Sequence, residues 1–195
     1  MKVKLLLTLA LLAAPMTALA QSRQAAPAPA APPATPPAAP DRTSAAYGDW
    51  TLRCETTRPA GQPAQRLCEI ALTFTDARNQ PVAQMVMGRT ARAEPMRVIL
   101  QVPLEVRVEE AARLQADPAA AAGEALSLPF KLCSVARGGC FAEAELPNDA
   151  ALRRLRARGD APGRVTFRDS AGREIHLTMS LRGFGAALDA LGREG

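Results

Sequence analysis

An all-β sandwich is predicted by three observations along this sequence. Apolar and polar residues alternate strictly in short runs, turn residues separate those runs at close intervals, and four cysteines follow an export signal. No strand-helix-strand alternation is present, which argues against a parallel sheet with crossover helices. The length of 195 residues, with 48% apolar and 22% charged content, suits one domain or two small ones and excludes coiled-coil and collagen readings.

The elements follow in chain order. Residues 1–20 read as a signal peptide: Lys2 and Lys4 precede an apolar run over residues 5–14, and Ala18-Leu19-Ala20 places small residues where signal peptidase reads. That run is too short to span a bilayer, and no cysteine follows Ala20 to carry a lipid. Residues 21–46 are rich in Ala and Pro, with Pro27, Pro29, Pro32, Pro33, Pro36, Pro37 and Pro40. With hardly an apolar side chain larger than Ala, they are expected to form a disordered, semi-rigid spacer. The folded domain is expected over residues 47–195. Within it, Cys68, Ile70, Leu72 and Phe74 alternate with Glu69, Ala71, Thr73 and Thr75, and Met96, Val98 and Leu100 alternate with Arg97, Ile99 and Gln101. These are half-buried strands. Trp50-Leu52-Cys54, residues 82–88, Val106-Val108, Leu126-Leu128-Phe130, Val165-Phe167 and Ile175-Leu177-Met179 repeat the pattern, for about eight strands. Asp169-Ser170-Ala171-Gly172 joins the clearest hairpin. Two short helices are expected, one capped by Asn148 or Asp149 and ending at Gly159, the other over residues 184–191.

The cysteines indicate an oxidising compartment. Cys54, Cys68, Cys133 and Cys140 are expected to form two disulfides, Cys54 with Cys68 and Cys133 with Cys140, because each pair brackets a turn-rich stretch. Each short loop is worth about 2.5 to 3 kcal/mol in the chain-entropy account. No Cys-x-x-Cys is present for redox chemistry, and the gaps are too wide for a Cys₄ zinc site.

The net charge of +5 falls to +3 without Lys2 and Lys4, and to +2 once Arg23, Asp41 and Arg42 are set aside, so no nucleic-acid partner is expected. Arg153, Arg154, Arg156 and Arg158 on the first helix are candidate anion-binding residues for lipid headgroups or other phosphates of a membrane surface, and otherwise form a solvated face. Arg158-Gly159-Asp160 spells an integrin-type tripeptide but reads more simply as a helix ending on glycine.

Tyr47-Gly48-Asp49-Trp50 with Cys54, then Cys68-Glu69-Ile70, Gln80-Pro81-Val82, Val102-Pro103-Leu104, Leu128-Pro129-Phe130, Gly139-Cys140 and Ser180-Leu181-Arg182-Gly183-Phe184 occur in an order that resembles the invasion-associated locus B family of exported bacterial proteins, over about residues 47–191. The resemblance implies a secreted protein with an immunoglobulin-like β-sandwich. It also brings the family's namesake role, the invasion of red blood cells by a bacterial pathogen. The long Ala/Pro spacer departs from the family pattern.

Chemistry finds few residues to use. His176 is the only histidine and lies on the polar side of its strand; Asp49 with Glu55, and Glu109 with Glu110, are the nearest approaches to carboxylate pairs. No enzyme, metal or cofactor is expected. The expectation is a non-enzymatic interaction protein of the periplasm, outer membrane or secreted fraction, with an envelope or host-cell surface component as partner and Trp50, Cys54 and Cys68 as core and staple. The alternative is a small-ligand binder or enzyme using a loop or cleft site.

Overall fold

The computed structural model describes residues 40–91, 93–121, 124–146 and 148–194. The expected signal peptide and residues 21–39 of the expected spacer lie outside the described residues. The spacer boundary at residue 46 is corrected, because Arg42–Tyr47 forms strand β1, paired residue for residue with Glu55 down to Trp50. An outermost strand contributes hydrogen bonds rather than apolar side chains, so a segment of Thr, Ser and Ala can be a strand without any core signature.

Beyond β1 the described residues form β2 (Trp50–Thr57), β3 (Gln65–Thr75), β4 (Pro81–Gly88), β5 (Met96–Val102), β6 (Ala112–Gln115), β7 (Leu126–Leu128), β8 (Phe130–Ser134) and β9 (Gly139–Leu146). Helix α1 (Ala150–Ala157), β10 (Gly163–Arg168), β11 (Glu174–Met179) and α2 (Phe184–Glu194) complete the chain. They build an antiparallel, immunoglobulin-like sandwich of two sheets. The larger has the order β1-β2-β3-β4-β5-β9-β8 and the smaller β11-β10-β6-β7. Among the described residues eleven strands stand where eight were expected: the edge strand β1, β6 and β9 are new, Pro129 divides the run of residues 126–130 into β7 and β8, since proline cannot donate to a ladder, and one expected strand is lost. The strand expected at Val106-Val108 is reduced to a single bridge from Val106 to Asp169. Leu104 and Val108 are 44% and 46% exposed, so only Val106 of this run packs against the core.

Alternation sorts the larger sheet into two faces. Trp50, Leu52 and Cys54 on β2 lie opposite Leu72, Ile70 and Cys68 on β3, and these side chains join Met85, Met87, Val98, Leu100 and Ala142 in the buried layer. Against that layer pack the small sheet, through Leu114, Leu128, Val165 and Met179, and α2, through Phe184, Ala187, Ala190 and Leu191. The two disulfides join the expected partners, Cys54 with Cys68 and Cys133 with Cys140, each across directly opposed residues.

The helices begin and end for local reasons. At α1 the Asn148 carboxamide oxygen accepts the Ala150 N–H at 2.9 Å, while Asp149 occupies the cap position without a side-chain bond. Leu152 and Leu155 bury one side of this helix. It ends where Gly159 adopts a left-handed φ of 58° and its N–H reaches the Arg156 carbonyl at 3.2 Å. Helix α2 runs one turn beyond the expected residue 191 and ends with Glu194 ion-paired to Arg66 at 3.0 Å. No helix among the described residues is long and apolar enough to cross a membrane.

Candidate functional site

The outward face of the large sheet carries the most developed surface feature. Between the buried residues of each strand stand side chains that point away from the core, and the hairpin registers align them into rungs. One rung runs Ser44, Arg53, Glu69, Gly88, Arg97, Glu145 across six strands. The next places Ala71, Val86, Ile99 and Glu143 side by side. Residues of both rungs from β1 to β5 line an open groove of ≈ 750 Å³ with Leu67, Val86 and Ile99 as apolar floor and Arg53, Glu69 and Arg97 among its walls. Gly88 keeps it open: a Cβ there would lie 3.0 Å from the Cys68 carbonyl oxygen and 3.2 Å from Glu69 Cβ.

Charge alternates across the groove. Arg42 pairs with Glu55 at 2.8 Å, Arg53 with Glu69 at 2.6 Å, and Arg97 with Glu143 and, at 3.8 Å, Glu145. Exposed pairs of this kind contribute at most about 1 kcal/mol to stability. Nε of Arg53 and of Arg97, like that of Arg158 at the end of α1, is buried without a hydrogen bond, and Arg97 Nε is the atom 3.8 Å from Glu145. The groove can hold an extended, mixed-charge segment with apolar side chains.

Of the four arginines singled out on α1, two are held in ion pairs. Arg156 makes a two-pronged bond to Asp189 of α2 at 2.6 and 2.7 Å, which raises the arginine's pKa and lowers that of the aspartate, and Arg158 pairs with Asp117 at 3.0 Å. Arg153 and Arg154 are exposed and form no ion pair among the described residues. The integrin-like tripeptide accordingly has its arginine engaged by Asp117 and its glycine ending the helix. The suggested acid pairs separate as well. Glu55 serves Arg42, and Asp49 serves Ser180 and Arg182. His176 lies exposed on β11 with Nε2 3.2 Å from Glu174 Oε1. Among the described residues every cysteine is in a disulfide, so no thiolate is available; Cys54, Cys68 and Glu194 lie close enough to share an ion, but both sulfurs are bonded to each other.

The groove residues escaped sequence reasoning because it assigned Glu69, Arg97 and Ile99 to outward positions strand by strand without a register between strands. The signal that could have found them is the outward set itself, which places Arg and Glu at matching offsets from the buried residues.

The segments that carry the family resemblance meet in space. Gly48-Asp49-Trp50, the turn from β1 into β2, interlocks with residues 180–184 ahead of α2. The Asp49 N–H donates to the Arg182 carbonyl at 3.1 Å, the Asp49 carboxylate accepts from Ser180 Oγ at 2.5 Å and from the Arg182 guanidinium, and Trp50 Nε1 donates to the Ser180 carbonyl at 3.0 Å. The hydrogen bond from Arg182, joined by that from Ser180, holds the Asp49 carboxyl below the usual carboxylate range. A carboxyl with a lowered folded-state pKa stabilises the fold above its unfolded value near ~3.9, and that contribution is lost as pH falls through the folded value. Stability is therefore expected to hold from neutrality to about pH 5 and to decline below about pH 4. Asp49→Asn should start lower at pH 7 and lose less on acidification, and urea midpoints measured against pH at low salt check this. Parallel curves for the two proteins would remove Asp49 from the account.

No curated protein matches this chain. The family model described as "Invasion associated locus B (IalB) protein" matches residues 50–192. Among solved structures, the crystal structure of invasion associated protein B from Bartonella henselae superposes with a TM-score of 0.62 at 21% identity, covering 77% of this chain and 95% of that one; at this identity the likeness speaks for the fold. With the family model matching well over half of the chain, Trp50 and residues 180–184 included, the chain belongs to the invasion associated locus B family.

Proposed function

We propose that this chain is an exported, non-enzymatic interaction module of the bacterial envelope whose partner lies in the groove on the outer face of the large sheet. The observation that carries the reading is the apolar floor of Leu67, Val86 and Ile99 set among the alternating charges of Arg53, Glu69 and Arg97. The two disulfides support export to an oxidising compartment. The family's name makes a host-cell surface, the erythrocyte included, the second place to look for the partner. A small-ligand reading is favoured by the groove volume, which lies within the ~300 to 1,000 Å³ of such sites.

Ile99→Arg, which plants a cation in the groove floor, tests both. With the full exported chain, crosslinking to the bacterium's own envelope fractions and to red-cell membranes is expected to map to groove residues. Ile99→Arg should weaken it at least about tenfold, the cost of burying one unmatched charge. Arg153→Ala/Arg154→Ala should leave it unchanged. Capture that survives Ile99→Arg, or that disappears with the α1 variant, would move the interface off the groove. A ligand-induced rise in Tm without macromolecular capture would select the small-ligand reading.

A further inference from the structure

The outer face of the small sheet holds a second, differently built site. On β6 and β10 the outward residues are Arg113 and Gln115, and Arg164, Thr166 and Arg168; β11 adds Glu174, His176 and Thr178. The register sets Arg113 opposite Thr166, which in turn faces His176, and sets Arg164 opposite Gln115 and Thr178. Arg113 and Arg164 are thus diagonal neighbours on adjacent strands, with backbones about 7 to 8 Å apart, a spacing that long side chains bridge.

The acids nearby are already committed. Arg168 takes Glu110 at 2.8 Å and Glu174 at 4.0 Å, and His176 takes Glu174 at 3.2 Å. Arg113 and Arg164 form no ion pair among the described residues, although both line the same cavity of ≈ 240 Å³ together with Gln115 and Thr166. That volume is below the ~300 Å³ lower limit of drug-sized ligand sites. Glu110 and Glu174 also line it, each already ion-paired; the remaining donors of the lining, two guanidinium forks, a carboxamide N–H₂ and a hydroxyl, match an acceptor with three or four oxygens and two negative charges.

We propose that the four-stranded sheet binds a phosphate group between Arg113 and Arg164, borne on a lipid headgroup or free in solution. Arginine suits the role because each fork can grip two oxygens at once, which a lysine cannot. The site is independent of the groove, which opens on the other sheet.

The test titrates the ¹⁵N-labelled full chain with inorganic phosphate against chloride at constant ionic strength. Backbone amides of β6 and β10 are expected to shift saturably, and Arg113→Ala/Arg164→Ala should weaken binding at least about tenfold with Tm little changed. Arg113→Lys/Arg164→Lys, which keeps charge without the fork, should fall between. Arg153→Ala/Arg154→Ala, which removes the same charge elsewhere, should bind as the parent does. Sedimentation with phosphatidylcholine vesicles, with and without phosphatidic acid, separates the sources. Arginine-dependent capture on phosphatidic acid assigns the headgroup, whereas phosphate binding without vesicle capture assigns the free ion. Absence of saturable shifts on β6 and β10, or equal losses in the α1 variant, would overturn the proposal.

Discussion

Replacing Gly183 by alanine is expected to lower the unfolding free energy by at least about 3 kcal/mol, more than any single surface change. Gly183 has a φ of 83°, which costs a residue with a Cβ about 1 to 2 kcal/mol. The added carbon would also lie 2.0 Å from the Tyr47 carbonyl oxygen and 2.4 Å from its carbon, inside the backbone of the opposing turn. Relief requires the two segments to part, and parting breaks the Asp49 N–H bond to Arg182, worth about 1 kcal/mol more. Gly61→Ala is the control. Its φ is 74° and a Cβ there would meet nothing within 4 Å, so it should show the backbone cost alone. Urea unfolding of the two variants separates conformation from collision; equal losses would mean that the turns do not touch.

Trp50→Ala should cost about 3 to 5 kcal/mol. The indole is fully buried, meets Phe184 edge to face with ring centroids 5.0 Å apart, and donates to the Ser180 carbonyl. Truncation opens a cavity between the sheet and α2 and leaves that carbonyl without its partner. Trp50→Phe retains most of the packing and loses the hydrogen bond, so about 1 to 2 kcal/mol is expected. Because Trp50 is the sole tryptophan, its fluorescence follows unfolding in the parent, and far-UV circular dichroism is needed for the variants. A loss under about 1 kcal/mol in Trp50→Ala would show that α2 is not anchored through the indole.

What was legible in the sequence follows from the range of each physical signal. β3 and β5 showed themselves because one face is buried and the other wet, so composition alternates within a few residues. The disulfide partners were legible because each pair brackets its own turn. β1 was not, because an outermost strand of Thr, Ser and Ala is held by its neighbour's backbone. The groove was hidden for a related reason. The rung from Ser44 to Glu145 depends on several hairpin registers in succession, among them β5 to β9, whose partners are separated by the whole of β6 to β8. The fate of the α1 arginines turned on Asp117 and Asp189, remote in sequence and adjacent only in space. The glycine-rich turns of the family pattern were recognised as a pattern, while their purpose, the meeting of two backbones too close for any Cβ, became visible only in three dimensions.

The position of β1 gives the molecule a mechanical character. Its side chains are largely exposed, so detaching it breaks backbone pairings and uncovers little of the core. A pull that draws the chain upstream of Arg42 away from the sheet loads the Arg42 and Glu55 pairing first and opens the rest in turn toward Tyr47, as a zipper opens, with low resistance at every step. The load then reaches Gly48 and Asp49, where the clasp to residues 180–184 resists as one unit, and behind it β2 is bolted to β3 by Cys54 and Cys68. β1 is therefore a compliant first stage that yields and lengthens under tension, and because Arg42, Thr43 and Ser44 line the groove, its release would take one wall of the groove with it while the stapled β2 and β3 hold.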